Sequence, residues 1–184
     1  MSTKEEIIIH ALKIFANKGY ENTNLDEIAK EVGITKPAIY YHFKNKKELY
    51  NEIFRKKFEN LSFEKQNSLE EDIKHYIYTM GSFFLNNPYI AKLFAKELAN
   101  EALHLEDDTL KIISKTLKFL TAVLQNTQIN PIFVQTLVIS SLTTYTNTLN
   151  LRKRIQGIVE NTKEEFDITE EVYKTILNYV KVSS

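Results

Sequence analysis

Apolar residues recur every three or four positions along most of this chain, the spacing of one face of an α-helix. An early example is Glu5–Lys18, which ends at Lys18 and Gly19, a cation followed by a glycine as in many helix ends. Only 4 Gly and 3 Pro occur among 184 residues, so few positions interrupt the pattern. We therefore predict an all-α protein of about nine helices and no strand.

Capping residues indicate where several of these helices begin. Asn45 and Ser68 each stand three positions before a glutamate, which is a capping-box spacing. One helix is predicted to run from the acidic residues 106–108 to Leu124, because acids favour a helix start. Thr169 is placed to cap the last helix.

The stretch Leu25–Leu49 predicts two short helices joined by a tight turn, which is a helix-turn-helix. Asn24 can cap the first helix and Thr35 the second. Gly33 can adopt the positive φ that ends the first helix. Pro37 falls in the first turn of the second helix, where its missing N–H costs nothing. The second helix would be the one that enters a DNA major groove.

The net charge conceals a local excess of positive charge. The chain has 24 basic and 24 acidic residues, yet no acid occurs between Glu31 and Glu48. The lysines of this interval are Lys36, Lys44, Lys46 and Lys47. An isolated lysine run is usually a solvated surface, but this one coincides with the helix expected to face DNA. The coincidence favours phosphate binding.

Three groups of residues together resemble the amino-terminal domain of TetR-family transcriptional regulators. They are Phe15-x3-Gly19-Tyr20, Thr23-x4-Ile28-Ala29-x3-Gly33-Ile34 and Tyr40-x-His42-Phe43-Lys44-x-Lys46-x2-Leu49. The resemblance covers about the first fifty residues, and the rest of the chain fits the family only in length and helical character. It implies a three-helix DNA-binding domain at residues 1–48, followed by a helical ligand-binding and dimerisation domain at residues 49–184.

The register of the second helix predicts which side chains reach DNA. Lys36 can donate to guanine, while Pro37 and Ala38 can contact thymine methyl groups. Ile39 and Phe43 are expected to face inward as core. The resemblance implies that matching positions of the family bind DNA. The predicted DNA-binding residues are Asn24, Thr35, Lys36, Pro37, Ala38, Tyr40, Tyr41, His42 and Lys46.

The segment Phe119–Leu151 contains no charged residue in 33 positions. It is not a membrane span, because Pro131 interrupts it and ten of the twenty residues from Ile132 to Leu151 are Ser, Thr, Asn or Gln. A helix at a protein interface fits better, with a buried helix of a monomer as the alternative. The resemblance implies that the last two helices pair with a second subunit as a four-helix bundle. The predicted interface residues are Val134, Leu137, Val138, Leu142, Tyr145, Val172, Ile176 and Tyr179.

The resemblance also implies a cavity for a small-molecule effector between helices of the second domain. The candidate lining residues are Tyr76, Met80, Phe83, Phe84, Phe94, Phe119 and Tyr145. Aromatic residues at helical spacing are more often ordinary core. If the cavity exists, its lining suits an apolar or aromatic compound, since no buried cluster of charges indicates an ionic one.

Several other classes of protein are not supported by the sequence. The absence of cysteine excludes a disulfide framework and a zinc finger, and it fits a reducing cytosol. The four histidines have no metal-ligand spacing, so we predict no metal and no cofactor. No catalytic motif is present, and we expect no enzyme. Met1–Glu6 is polar and precedes only a short apolar run, so we expect no signal peptide and a cytoplasmic protein.

The sequence therefore predicts a homodimeric DNA-binding transcriptional regulator with a double-stranded DNA operator as its partner. The favoured form is a repressor that a small apolar or aromatic ligand releases from an inverted-repeat operator. A transcriptional activator, a regulator that responds to a protein, and a helical interaction protein that no longer binds DNA are the alternatives.

Overall fold

The computed structural model describes residues 2–159 and 166–183 of the chain. Over these residues the fold consists of eleven α-helices without a strand, which confirms the predicted all-α class. The helices are α1 (Thr3–Lys18), α2 (Leu25–Val32), α3 (Lys36–His42), α4 (Lys46–Glu59), α5 (Leu69–Asn86), α6 (Pro88–Ala99), α7 (Asp107–Ile113), α8 (Lys115–Leu124), α9 (Pro131–Asn147), α10 (Leu149–Gln156) and α11 (Ile168–Ser183). None of the described helices is long and apolar enough to cross a bilayer.

Two breaks between helices explain why the predicted number was too low. The helix expected to reach Leu124 is divided at Ser114 into α7 and α8, and α10 follows α9 after Thr148. Neither break contains Gly or Pro. Ser114 keeps helical backbone angles, with φ of −63° and ψ of −12°. The apolar periodicity therefore gives no signal at either position.

Three of the predicted helix caps are confirmed by their hydrogen bonds. Asn24, Asn45 and Ser68 each accept a hydrogen bond from the backbone N–H three residues later, at 2.8, 2.8 and 3.2 Å. These bonds satisfy donors that the first turn of a helix leaves without an intrahelical partner. The starts of α2, α4 and α5 are thus encoded locally.

Two other predicted caps are corrected by the structure. Thr35 occupies the N-cap position of α3, but its side chain makes no capping hydrogen bond. Thr169 lies within the first turn of α11, where Asp167 provides the cap. The Asp167 Oδ1 atom accepts from the N–H groups of Thr169 and Glu170 at 2.8 and 3.2 Å. Asp167 and Thr169 both carry a side-chain oxygen that can cap a helix, and the sequence alone did not indicate which of them does.

The first compact unit contains the helix-turn-helix and extends through α4 to Leu61, and it also includes Lys92–Ile113. Within this unit α1 packs against α2 and α4, α2 against α3, and α7 against α4. Its fully buried side chains include Ile7, Phe15, Ile28, Ile39, Leu49, Ile53 and Phe54. Helix α2 therefore lies in contact with both α1 and α3. The domain boundary predicted after residue 48 stays a prediction.

The second compact unit comprises Ser62–Ala91 and the described residues from Ser114 onward. Here α5 packs against α8, α9 and α11, and α9 packs against α8 and α11. Helices α5 and α11 lie close together at Gly81, where an added Cβ atom would lie 2.5 Å from the Thr169 Oγ1 atom. Glycine is therefore required at this crossing for steric reasons.

Candidate nucleic-acid interface

The turn between α2 and α3 adopts the predicted conformation. Gly33 has φ of 77° and ψ of 29°, which is the left-handed region that glycine adopts without steric cost. The Ile34 N–H group donates to the Ala29 carbonyl at 2.9 Å, which closes the end of α2. Pro37 lies in the first turn of α3, as expected. The local sequence thus fixes the angle at which α3 follows α2.

The two faces of α3 differ sharply in exposure. Ile39 and Phe43 are buried, with 0% and 2% of their surface exposed, which confirms that they face inward. Tyr41 is 85% exposed and Tyr40 is 49% exposed. Among the remaining predicted contacts Asn24, Thr35 and Pro37 are exposed, and Lys36, Ala38, His42 and Lys46 are partly exposed. The outward face of α3 therefore presents large polar aromatic side chains to the solvent.

Lys36 already has an acidic partner within the unit. Its Nζ atom lies 2.8 Å from the Asp26 Oδ2 atom on α2. This hydrogen bond to the Asp26 carboxylate raises the pKa of Lys36 above its ordinary value. Both side chains are solvent-accessible, so the pair contributes little to stability. A base or phosphate would have to replace Asp26 as the partner of this ammonium group.

Lys46 is held inside the unit by backbone carbonyls. Its Nζ atom donates to the carbonyl oxygens of Tyr20 and Thr23, at 2.9 and 3.0 Å. The same ammonium lies 4.3 Å from the centroid of the Tyr20 ring, which adds a cation–π contact. These contacts join the start of α4 to the loop between α1 and α2. A phosphate contact by Lys46 stays a prediction, and the visible role of this side chain is structural.

Two other lysines are better placed for phosphates than the sequence analysis recognised. Lys44 and Lys47 flank the cap of α4 and are exposed. Within the described residues neither side chain forms an ion pair or a hydrogen bond. Both belong to the acid-free interval, which was the available signal. The sequence did not distinguish them from Lys46, because that distinction depends on the tertiary contact with Tyr20.

The structure divides the predicted subunit interface into buried and outward residues. Val134, Val138 and Leu142 are fully buried within the chain, and their part in a subunit interface stays a prediction. Val172 and Ile176 are likewise almost covered, at 7% and 1% exposure. The accessible members of the predicted set are Leu137, Tyr145 and Tyr179.

A shallow groove of about 220 Å³ lies along α9 and α11 on the accessible side. Its lining consists of Leu137, Ser141, Ile168, Glu171, Val172, Thr175 and Ile176. The outward stripe of α9 beside it consists mainly of small hydroxyl residues, namely Thr136, Ser140 and Thr144. Side chains this small allow another helix to approach closely.

The predicted effector-pocket residues belong to both compact units. Tyr76, Met80, Phe83 and Phe84 share α5 and are buried. Phe94 belongs to the first compact unit, where its ring packs against Phe54 and Phe58 at centroid distances of 6.4 and 5.3 Å. Tyr145 packs instead against the Arg152 guanidinium, 3.8 Å from its ring centroid. A pocket lined by the whole set stays a prediction.

One aromatic cluster does form within the second unit. The rings of Tyr76 and Phe119 are nearly parallel, with centroids 6.2 Å apart. Phe63 completes a triangle with them at 5.4 and 5.3 Å, and His75 lies 6.3 Å from Phe119. Burial raises the pKa of the Tyr76 hydroxyl, with a smaller opposing effect from Thr116. Among the described residues no atom meets hydrogen-bond geometry with that hydroxyl. The sequence analysis missed Phe63, which lies in a polar loop.

Comparison with known proteins gives matches to the amino-terminal region and to the fold. Residues 7–53 match the family model described as bacterial regulatory proteins, tetR family. The chain is 44% identical over 59 residues to IcaR of Staphylococcus aureus (strain Newman), the HTH-type negative transcriptional regulator of the biofilm operon icaADBC. That match covers 32% of this chain and 32% of IcaR, so the chain spans about a third of the relative's length.

Two solved structures share the fold over almost the whole chain. A linker variant of HlyIIR has a TM-score of 0.68 at 23% identity, covering 94% of this chain and 93% of its own. The transcriptional regulator FadR from Bacillus subtilis, solved with stearoyl-CoA, has a TM-score of 0.70 at 17% identity, covering 96% of both chains. At such identities the likeness concerns the fold alone. IcaR and FadR are both named as regulators of transcription and not as enzymes.

Proposed function

We propose that this chain, whose amino-terminal domain is that of TetR-family transcriptional regulators, is a homodimeric repressor that binds an inverted-repeat DNA operator. The observation that carries the proposal is the outward face of α3, where Tyr40 and Tyr41 are exposed while Ile39 and Phe43 anchor the helix in the core. The exposed Lys44 and Lys47 follow α3 in the chain and supply phosphate-binding charge. The similarity of this region to IcaR supports repression over activation.

In such a dimer, the two α3 helices would enter two successive major grooves of the DNA. The recognition helices of a two-fold protein are spaced by about 34–36 Å, which is one turn of B-DNA. Selection of bound sites from random DNA, followed by footprinting of the complex, tests this arrangement. We expect enrichment of an inverted repeat with half-sites about 10 base pairs apart, centre to centre. Enrichment of a single asymmetric half-site, or of no sequence, would contradict the proposal.

The dimer is proposed to form through α9 and α11. The accessible side of α9 carries no charged residue, and Leu137 adds apolar surface beside its small hydroxyl residues. On α11, Tyr179 is exposed. Phe133 on α9 contacts Tyr179 on α11 at a centroid distance of 5.2 Å, so one end of this surface is aromatic. Aromatic residues are enriched where proteins associate. Two copies related by a two-fold axis would bring the same surfaces together.

An apolar or aromatic effector is proposed to bind at the aromatic cluster of Phe63, Tyr76 and Phe119. A flat aromatic molecule could take the place of the Phe63 ring, and a polar substituent could meet the buried Tyr76 hydroxyl. The effector can release DNA only if it binds more tightly to a state of the dimer in which the two α3 helices do not fit the operator than to the DNA-binding state. The predicted small-molecule response therefore rests on a difference in affinity between two states.

A further inference from the structure

The segment between α6 and α7 contains two residues in an unfavourable backbone conformation. Glu101 and Ala102 have φ angles of 53° and 58°, and neither is glycine. L-residues adopt this left-handed region only where surrounding contacts compensate for the steric cost. The Ala102 N–H group donates to the Glu97 carbonyl at 2.8 Å and the Glu101 N–H group to the Leu98 carbonyl at 3.4 Å, the two bonds of a Schellman motif that accompany a left-handed residue after a helix. The side-chain contacts of the segment centre on His104, two residues further on.

Both ring nitrogens of His104 face carboxylate oxygens. The Nδ1 atom lies 2.8 Å from the Glu97 Oε1 atom, and the Nε2 atom lies 3.1 Å from the Glu21 Oε1 atom. An ionised carboxylate only accepts hydrogen bonds, and a neutral imidazole donates from only one nitrogen. Only the imidazolium donates to both partners. The geometry therefore fits the charged form of the ring.

Glu97 is buried, and several donors surround it. Only 1% of its surface is exposed. Its Oε1 atom accepts from the Tyr50 hydroxyl at 2.6 Å, and its Oε2 atom accepts from the His104 backbone N–H at 3.4 Å. Burial and the hydrogen bond to Glu97 raise the pKa of Tyr50, so its hydroxyl stays a donor. A buried carboxylate needs such partners, because an unpaired charge is costly in the interior.

His104 also contacts the two elements next to the helix-turn-helix, namely the α1–α2 loop and α4. Its ring stacks on Tyr20, with centroids 4.3 Å apart and planes inclined by 30°. Tyr20 belongs to the loop between α1 and α2, and its carbonyl also accepts from Lys46 at the start of α4. The His104 carbonyl accepts from the Asn51 side chain on α4 at 3.0 Å. One histidine thus joins the segment after α6 to both neighbours of the helix-turn-helix.

We propose that His104 is a positioning residue for DNA binding, whose imidazolium holds the α1–α2 loop and the start of α4 in the arrangement that presents α3. The inference rests on the DNA-binding function proposed above. Histidine is the side chain that ordinarily changes charge between pH 5 and 8. Loss of the ring proton removes one of the two hydrogen bonds to carboxylates. The α1–α2 loop and the start of α4, which these bonds hold in place, then become less ordered. The titratable groups facing this ring or its direct partners are Glu97, Glu21, Tyr20, Tyr50, Lys46 and Glu106.

The test compares wild type with His104→Gln, which stays neutral at every pH. Glu21→Gln is the second variant, since the Glu21 side chain is 76% exposed and its change leaves the core untouched. His75→Gln, in the second compact unit, is the matched control. Affinity for the consensus duplex recovered by selection is measured between pH 5.5 and 8.5. Hydrogen exchange of the Tyr20–Asn24 and Lys46–Asn51 amides is measured without DNA.

We expect the affinity of wild type to fall about tenfold as the pH rises, the scale of one hydrogen bond to a charged group. His104→Gln should bind weakly at every pH, with a flatter profile and faster exchange at the Tyr20–Asn24 amides. Glu21→Gln should show a reduced pH dependence, and His75→Gln should behave as wild type. All of these proteins retain His42 on α3, so any contribution of that side chain to DNA binding is common to all of them.

Two results would overturn the role of His104. One is a His104→Gln variant with the pH profile and exchange rates of wild type. The other, decisive if His104→Gln fails to fold, is a folded Glu21→Gln variant with an unaltered profile and unaltered exchange. If wild type binds no duplex at any pH, the proposed DNA-binding function fails. The exchange measurements then still decide whether His104 orders the α1–α2 loop.

Discussion

Two glutamate substitutions on opposite faces of α9 should separate its role in folding from its role in dimerisation. Leu142 is fully buried within the chain, whereas Ser140 is exposed on the same helix. Leu142→Glu would place an unpaired carboxylate in the core of the second unit. Ser140→Glu would place the same charge on the surface proposed to meet a second subunit. The substitutions introduce the same side chain two residues apart.

The expected magnitudes follow from burial. Truncating a buried leucine costs about 2–5 kcal/mol of unfolding free energy, and an uncompensated buried charge adds several kcal/mol. This is comparable with the whole stability of a domain, roughly 5–15 kcal/mol, so Leu142→Glu should largely unfold. Ser140→Glu should change the unfolding free energy of a monomer by about 0.5 kcal/mol or less. In a dimer, each introduced carboxylate would lose water at the subunit contact, which should favour monomers.

Circular dichroism during urea unfolding measures the first effect, and analytical ultracentrifugation measures the second. Ser140→Glu should keep the helicity of wild type and sediment as a monomer. It should bind the selected duplex weakly, because a monomer contacts only one half-site and gains no affinity from a second α3 helix. A folded Ser140→Glu dimer would place the interface elsewhere. A Leu142→Glu variant with wild-type stability would contradict the packing of α9 inside the second unit.

Further substitutions test other parts of the account. In a urea titration, Gly81→Ala should lower the unfolding free energy by about 1–3 kcal/mol, because the added methyl group overpacks against α11. Gly157→Ala is the control and should have little effect, because its added Cβ meets no atom closer than 3.6 Å. Phe63→Ala should open a space that phenol fills, so phenol should raise the thermal midpoint of this variant more than that of wild type; equal shifts would remove the aromatic cluster as a site. Lys47→Ala should flatten the salt dependence of DNA affinity by about one phosphate contact, because Lys47 is exposed. Lys46→Ala should chiefly lower thermal stability, because it removes the bonds to the Tyr20 and Thr23 carbonyls. The reverse pattern would contradict these two roles.

The helix-turn-helix could be predicted from sequence because its signals are local. Asn24 caps α2 through a bond to the third residue along, and Gly33 provides the left-handed turn. The inward direction of Ile39 and Phe43 follows from their spacing of four residues on one helix face. Each of these features depends on residues fewer than five positions apart. A single sequence displays them completely.

The orientation of α9 could not be predicted in the same way. It carries no charged residue, so no polar stripe distinguishes its outer face from its inner one. Its hydroxyl groups do not mark exposure either. Thr143 is buried, and its Oγ1 atom donates to the Ile139 carbonyl of the preceding turn at 2.7 Å. A threonine that satisfies its hydroxyl within its own helix can lie on either face.

The contacts of Lys46 and His104 escaped prediction for a different reason. Tyr20, Glu97 and His104 lie up to 84 positions apart in the sequence and meet only in the folded unit. No periodicity or motif links positions so widely separated. The sequence identified Lys46 as basic, but the Tyr20 and Thr23 carbonyls that accept its protons are visible only in the fold.

The central claim is that the outward face of α3 binds DNA with sequence preference, and a salt titration tests it most directly. The affinity of the chain for the selected duplex and for a scrambled duplex of equal length is measured over a series of salt concentrations. We predict that both affinities fall linearly on logarithmic axes, because phosphate contacts release counterions, and that the selected duplex binds at least about a thousandfold more tightly. Equal affinity for the two duplexes, or the absence of salt-dependent binding to either, would contradict the account.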